Sequence, residues 1–378
     1  MRFLHLSDLH IGKRVNEISM LDEQAYILDE ILDIIDSQNP ESILIAGDIY
    51  DKSVPQSEAV RLFDDFLTSM AQRNKSVFII SGNHDSSERL SFGSRIMKSR
   101  RIYISSIFEG SLKPVCLSDA FGEINIYMLP FVKPANVRDF FLDKKIETYN
   151  DALKAVMGTL KTDLSKRNVL IAHQFVTGAI RSDSEEISVG GLDNVDAEVF
   201  GCFDYVALGH IHTQQWVLKE NIRYCGTPLK YSLSEAKQGK SVTILDLNEK
   251  GNFNITAVPL IPKHDMREIK GSYNELALLK NYKDTKTDDY IHITLTDENY
   301  VPDAIGKLSA IYPNIMKLDY DNLRTSREQN TFGAANIEEK LPLELFDELY
   351  YIQNNIKMDE EQKKLLSGII EEVWEVGK

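Results

Sequence analysis

Short apolar runs of strand length recur along the first two-thirds of the chain, each closed by a polar or glycine-containing turn. They are Phe3–Leu6, Ile43–Ala46, Val77–Ile80, Ile124–Leu129, Val169–Ala172, Tyr205–Leu208, Val242–Leu247 and Phe253–Val258. Helical patterns separate several of them. Gln24–Ile35 places Ile27, Leu28, Ile31, Leu32 and Ile35 on one stripe, and Ser57–Met70 does the same with Val60, Phe63 and Leu67. Strands alternating with helices predict an α/β domain. The later strands follow one another more closely, which predicts that the sheet becomes partly antiparallel, a mixed α/β and α+β architecture.

Pro259-Leu-Ile-Pro262 breaks this pattern and predicts a domain boundary, with residues 1–260 before it. Residues 263–320 read as a small α+β unit: strand Met266–Ile269, helix Asn274–Leu279, strand Tyr290–Thr296, helix Pro302–Ile311, strand Ile315–Leu318. The polar stretch 321–340 reads as a linker. Residues 341–378 carry two apolar-striped helices, one with Leu345, Phe346, Leu349, Ile352 and Ile356, the other with Leu365, Leu366, Ile369, Ile370 and Val373. The second opens on Asp359-x-x-Gln362, a capping-box start.

Composition narrows the class. With 378 residues, 43% hydrophobic and 27% charged, the chain is long enough for two or three ordinary globular domains. No apolar run approaches the roughly 20 residues of a membrane helix. The opening segment meets His5 and Asp8 too early for a signal peptide. Cys116, Cys202 and Cys225 are an odd number without CxxC spacing, against a disulfide framework or a zinc–thiolate site. The expectation is a cytoplasmic protein. The net charge of −15 points away from indiscriminate nucleic-acid binding, although a local basic rim or bound cations can reverse the field at a site.

Chemistry concentrates where strands end. Phe3–Leu6 runs into Asp8 and His10, Ile43–Ala46 into Gly47, Asp48 and Asp51, and Val77–Ile80 into Gly82, Asn83, His84 and Asp85. Val169–Ala172 runs into His173, and Tyr205–Leu208 into Gly209, His210 and His212. Five of the eight histidines lie in these clusters, so they are not scattered surface residues. Each cluster alone is an ordinary turn or a hydrogen-bonded buried histidine. Together, at the carboxyl ends of strands, they converge on one crevice. Burying so many His and Asp groups is costly unless they pair or ligate metal. Carboxylate, imidazole and amide oxygen without thiolate suit Mn²⁺, Fe or Zn²⁺. Seven such groups suit two ions if one carboxylate bridges, an arrangement that clamps a phosphoester and lowers the pKa of bound water from about 15.7 to about 7.

In order, Asp8-x-His10, Gly47-Asp48-x-x-Asp51, Gly82-Asn83-His84-Asp85, His173 and Gly209-His210-x-His212 resemble the five motifs of the calcineurin-like metallophosphoesterases. The resemblance implies a sandwich of two mixed β-sheets flanked by helices. Arg2–Gly12, Tyr205–His212, Arg223–Pro228 and Ser232-Leu233-Ser234-Glu235 are similar to the SbcD subfamily, nuclease subunits that work with the ATPase SbcC at DNA ends. It implies that 1–260 is the nuclease domain, 263–320 a DNA-capping domain and 341–378 the tail that docks SbcC.

Carried over, Asp8, His10, Asp48 and His212 would hold one divalent ion. Asp48, Asn83, His173 and His210 would hold the other, both most often Mn²⁺. His84 would stabilise transition-state charge or protonate the leaving oxygen, with Asp85 orienting its ring, and Asp51 would be a supporting hydrogen-bond partner. Lys13, Arg14, Lys52, Arg89 and Arg95 follow the motifs and are candidate DNA-phosphate contacts. The helices at Ser57–Met70 and Glu88–Met97 are candidates for a homodimer contact through Phe63, Phe66, Leu67, Leu90 and Met97. The metal motifs alone leave open a phosphoesterase acting on small nucleotides. A DNA-end scaffold without activity would show a missing ligand, and none is missing. No Walker motif is visible, so any ATP use belongs to a partner.

Overall fold

The structure, a computed structural model, describes residues 1–185, 193–322, 343, 346, 347, 349–351 and 357–376. The chain divides into two compact units, Met1–Met266 and Arg267–Lys378.

The first unit contains β1 (Arg2–Leu6), α1 (Leu21–Gln38), β2 (Ser42–Ala46), α2 (Ser57–Gln72), β3 (Ser76–Ile80), β4 (Ile102–Ser105), β5 (Val115–Asp119) and β6 (Gly122–Leu129). Then come α3 (Tyr149–Met157), β7 (Arg167–His173), β8 (Tyr205–Gly209), β9 (Gln215–Val217), β10 (Lys219–Tyr224), β11 (Lys240–Leu247) and β12 (Phe253–Leu260). They form two six-stranded sheets, ordered β12-β11-β1-β2-β3-β4 and β9-β10-β8-β7-β6-β5. β1 to β4 run parallel, as do β6, β7, β8 and β10, while β11, β12, β5 and β9 add antiparallel edges.

The sequence explains this arrangement. β2 is Ser-Ile-Leu-Ile-Ala and is buried throughout, the near-continuous apolar run of a parallel strand covered on both faces. Phe3, Leu44, Phe78 and Leu245 of one sheet meet Ile126, Val169, Ile171 and Ala207 of the other in a core between the sheets. On the outer face of the second sheet, Leu129, Leu170, Val206 and Tyr224 cover Ala152, Leu153 and Val156 of α3. The architecture is the two-sheet mixed sandwich that the motifs imply.

Three expectations need correction. Pro259 does not end the strand: it pairs with Ser241 inside β12. β12 is an edge strand, where a residue without an N–H is tolerated. The expected helix over Glu88–Met97 is two helical turns, Ser87–Leu90 and Ser94–Met97, separated by Gly93 at φ 73°. In α2, Val60 is 44% exposed, whereas Phe63, Phe66 and Leu67 are buried within the chain, as is Leu90. Those four residues therefore serve the unit's own interior and not a dimer face.

The second unit has a three-stranded sheet ordered β13 (Met266–Gly271), β14 (Tyr290–Leu295), β15 (Ile315–Tyr320). Ile291, Ile293 and Leu295 alternate onto one face and pack on Ala304 and Leu308 of the short helix Ala304–Ser309. The helix expected at Asn274–Leu279 is two turns, Tyr273–Leu276 and Leu279–Tyr282, the first opened by a Ser272–Glu275 capping box. A last helix, α4, spans Glu360–Val376, and Asp359 and Gln362 exchange the two hydrogen bonds of its capping box. The linker 321–340 beyond Asn322, and Leu345, Ile352 and Ile356 of the first tail helix, lie outside the described residues. No described helix is long and apolar enough to cross a membrane.

Candidate metal centre

β1, β2, β3, β7 and β8 deliver their carboxyl ends to one side of the sandwich, and the loops beyond are laced together by the backbone. Asp8 N–H donates to the Gly47 carbonyl (3.0 Å), His10 N–H to that of Asp48 (2.9 Å) and Ile11 N–H to that of Ile49 (2.9 Å). The sheets are tied across the site as well. His210 N–H donates to the Asp8 carboxylate (2.9 and 3.2 Å), and His173 Nδ1 donates to the Ala46 carbonyl (2.8 Å). The fit is close enough that a Cβ on Gly209 would strike the Ala46 carbonyl, and one on Gly82 the Asp48 carboxylate.

Four functional candidates are held at left-handed φ: Asp8 (53°), His10 (45°), Asp48 (49°) and His210 (99°). Each non-glycine residue in that region costs on the order of 1–3 kcal/mol, and such strain clusters where side chains must be aimed. Here it turns side chains from several loops into a common space. Donor atoms of Asp8, His10 and His212 lie within 4.8 Å of one another, as do those of Asp8, Asp48 and His173, and those of His10, Asp48 and His84. Asn83 Oδ1 is 3.0 Å from both His173 Nε2 and His210 Nδ1. The structure thus brings all seven expected ligands together.

The donor chemistry fits a cation. A carbonyl oxygen only accepts, so His173 carries a proton on Nδ1 and presents Nε2 to Asp48 Oδ2 (3.3 Å) and Asn83 Oδ1. His10 Nε2 faces His212 Nε2 at 3.2 Å and Asp48 Oδ2 at 3.7 Å, and His10 Nδ1 is buried without a hydrogen bond. Acceptor atoms from five loops therefore crowd a buried space with few protons to share. Protonation can relieve only part of this. Burial favours a neutral His173, but the Asp48 and Asp8 carboxylates outweigh it and raise its pKa to about 9. Burial raises Asp8 to about 6 and pushes His210 down to about 3, with His173 adding to the latter. Burial likewise holds His10 well below its ordinary range. Cys225 is buried nearby, but its Sγ meets Ser7 Oγ and the Gly226 carbonyl, so the donor set stays free of thiolate.

Two supporting roles differ from expectation. Asp85 does not orient His84. Its carboxylate accepts the backbone N–H groups of Gly82 (2.9 Å), Tyr50 (3.0 Å) and Ile49 (3.1 Å), which pins the β2 loop to the β3 loop. Burial and the neighbouring Asp48 raise its pKa to about 6. The His84 ring is instead held by the Asp51 carbonyl, 3.0 Å from Nδ1, which leaves Nε2 free. The Asp51 carboxylate takes Lys13 Nζ (2.7 Å), so Lys13 is an ion-pair partner within the site.

Arg14 and Lys52 line a cavity of about 170 Å³ beside Asp51, together with Ile11, Gly12 and Gln56. Arg89 and Arg95 are exposed on the turns after Asp85 and do not line it. Sequence reasoning misses Ser184, Glu185 and Lys240, which surround His212. It singles out Glu235 only as part of a motif, with no role.

The calcineurin-like phosphoesterase family matches residues 1–214, and a family described as "Type 5 capsule protein repressor C-terminal domain" matches residues 262–354. The chain is 33% identical, over 379 aligned residues, to the SbcD subunit of the nuclease SbcCD of Staphylococcus epidermidis, covering 98% of this chain and 99% of that protein. Among solved structures, a dimetal phosphatase from Danio rerio aligns with a TM-score of 0.43 at 12% identity, over 69% of this chain and 96% of its own. A Thermus thermophilus protein aligns at 0.39 and 11%, over 68% and 98%.

Proposed function

From the premise that the chain belongs to the calcineurin-like phosphoesterases and, over nearly its whole length, to the SbcD nuclease subunits, we propose that its metal centre cuts phosphodiester bonds at DNA ends or hairpins. The chain is a metal-dependent phosphodiesterase of the SbcD nuclease type and binds divalent metal. The observation that carries the finer reading is the convergence of Asp8, His10, Asp48, Asn83, His173, His210 and His212 from loops of both sheets.

In this reading Asp8, His10, Asp48 and His212 would hold one ion, and Asp48, Asn83, His173 and His210 the other, with Asp48 serving both and Mn²⁺ the preferred metal. When bound, such a pair neutralises a phosphoester's oxygens and lowers the pKa of water. The remaining work falls to this chain's own groups. His84 Nδ1 is fixed by the Asp51 carbonyl, so Nε2 is the atom that stabilises charge or carries a proton to the leaving oxygen. Asp85 acts at one remove by clamping the two loops that carry Asp48 and Asn83. Arg14 and Lys52 serve the flanking phosphates, despite the net charge of −15. Arg89 and Arg95 are further candidate contacts.

The partner is the ATPase SbcC, in the cytoplasm, in DNA repair and recombination. The small unit caps DNA and the tail 341–378 docks SbcC, so a chain lacking the tail keeps its nuclease activity and loses SbcC. Homodimer formation uses exposed apolar residues after the third motif, Phe92 (85% exposed) and Ile96 (78%), beside Met97.

The test is Mn²⁺-dependent digestion of an end-labelled linear duplex, with Asn83→Ala as control. Degradation by the unsubstituted chain alone supports the reading. Hydrolysis of small phosphodiesters without DNA cleavage, even with SbcC and ATP, moves the substrate to small nucleotides, which the acidic net charge favours.

A further inference from the structure

Among the candidate ligands, His212 has its far ring nitrogen held by side chains, not by the backbone. His212 Nδ1 lies 2.6 Å from Ser184 Oγ, which lies 2.5 Å from Glu235 Oε1. Glu235 is fully buried at the end of the turn Leu233–Glu235. Its second oxygen takes the Lys240 ammonium. Lys240 also donates to the His212 carbonyl (3.0 Å) and to Gln238 Oε1 (3.2 Å). On the other side, the His212 N–H donates to Glu185 Oε1 (2.7 Å), whose second oxygen accepts from the Ser182 N–H, and Ser182 Oγ lies 2.8 Å from both that oxygen and Ser184 Oγ, to which it can donate.

The proton order follows from what each group can do. A carboxylate only accepts, so the single hydroxyl proton of Ser184 points to Glu235. Ser184 then offers an oxygen lone pair to His212. The ring proton must sit on Nδ1, and Nε2 is left bare where it faces His10 Nε2 at 3.2 Å. We infer that Glu235 is a positioning residue which, through Ser184, locks His212 in the tautomer able to ligate a metal, with Lys240 fixing the direction of the relay. The consequence for metal rests on reading His212 as a ligand; the tautomer itself does not.

The relay has a definite failure. In Glu235→Gln, buried Lys240 still requires an acceptor and takes the amide oxygen. The amide NH₂ then faces Ser184, which must accept from it and donate to His212 Nδ1. The ring proton moves to Nε2, and His212 can no longer ligate there. Ser184→Ala removes the relay without reversing it, and Ser184→Thr keeps it.

The experiment uses the full chain, free of metal and carrying ¹⁵N-histidine, with the His212 signals assigned from a His212→Asn spectrum. Ring nitrogen shifts report the tautomer, and calorimetric titration with Mn²⁺ reports affinity. The expected results are an Nδ1–H ring in the unsubstituted chain, an Nε2–H ring in Glu235→Gln, and no preference in Ser184→Ala. Mn²⁺ binding weakens by about 10- to 100-fold in both variants and is restored in Ser184→Thr. If Glu235→Gln does not fold, Ser184→Ala against Ser184→Thr decides. An Nε2–H ring in the unsubstituted chain, or an unchanged tautomer in Ser184→Ala, overturns the inference. The expected tautomers without any Mn²⁺ binding uphold it and overturn instead the reading of His212 as a ligand.

Discussion

β7 begins at Arg167 and ends at His173, and both side chains are buried, yet the two ends of this strand solve opposite problems. At the first end, opposite charges are paired. Arg167 Nη1 and Nη2 donate to both oxygens of Asp119 (3.0 and 2.5 Å) and to the carbonyls of Leu247, Asn248 and Gly122. The N-terminal ammonium adds a further contact to Asp119 at 2.6 Å. At the other end, His173 Nε2 faces a carboxylate and an amide oxygen, while the ring nitrogens of His10 and His212 meet at 3.2 Å over a single shared proton. A closed cluster stabilises the fold. An open one, short of positive charge and built on strained backbone, keeps a place for a cation. Burial alone does not separate structural polar groups from functional ones; the pairing of charge does.

Substitutions at the two ends should therefore fail differently. The largest effect is expected from Asp48→Asn, which removes the carboxylate proposed to serve both ions. Metal content by elemental analysis and DNA cleavage should both fall to background while the melting transition persists. His84→Ala should keep its metal and lose about 10²- to 10⁴-fold in turnover, measured under single-turnover conditions. Metal loss in that variant would contradict its role. Arg167→Met should do the reverse. It leaves half-buried Asp119 without its main partner, at a cost of about 1–3 kcal/mol in urea unfolding, with metal binding per folded molecule unchanged.

A smaller effect concerns pH. Burial raises the Asp119 carboxyl, but Arg167 and the N-terminal ammonium outweigh it and hold it well below the ordinary carboxylate range. A depressed folded-state pKa contributes stability above the unfolded value of about 3.9 and loses it as pH falls toward the folded one. Unfolding followed between pH 5 and 2 should show that loss, and Asp119→Asn should flatten it. Smallest of all, Lys52→Gln should lower the salt dependence of DNA binding by about one unit of slope, without touching metal content.

The core and the open cluster are legible in the sequence to different depths. Strand positions are readable because apolar runs such as Ile43–Ala46 are long, unbroken and closed by glycine or a polar residue. The motifs are readable because their residues directly follow those strands. Periodicity misplaces Val60 because a helical stripe tolerates an error of one position at its rim. Pro259 misleads because sequence does not say which strand is an edge. The family resemblance assigns Asp85 to His84, whereas its carboxylate folds back on amides from a different loop. The relay from Lys240 through Glu235 and Ser184 to His212 has no local signal. Ser184, His212 and the Glu235–Lys240 segment lie far apart in sequence and meet only in the folded unit. The Ser232–Glu235 motif is the one hint that something there is specified.

If the open cluster is built for divalent cations, the metal-stripped full chain must take them up at equilibrium. Calorimetric titration with Mn²⁺ measures this, read beside Asp48→Asn and Arg167→Met at a temperature where all three are folded. About two equivalents are expected for the unsubstituted chain and for Arg167→Met, and binding lost in Asp48→Asn. No binding by the unsubstituted chain, or full binding by Asp48→Asn, would show that the cluster is not a metal centre.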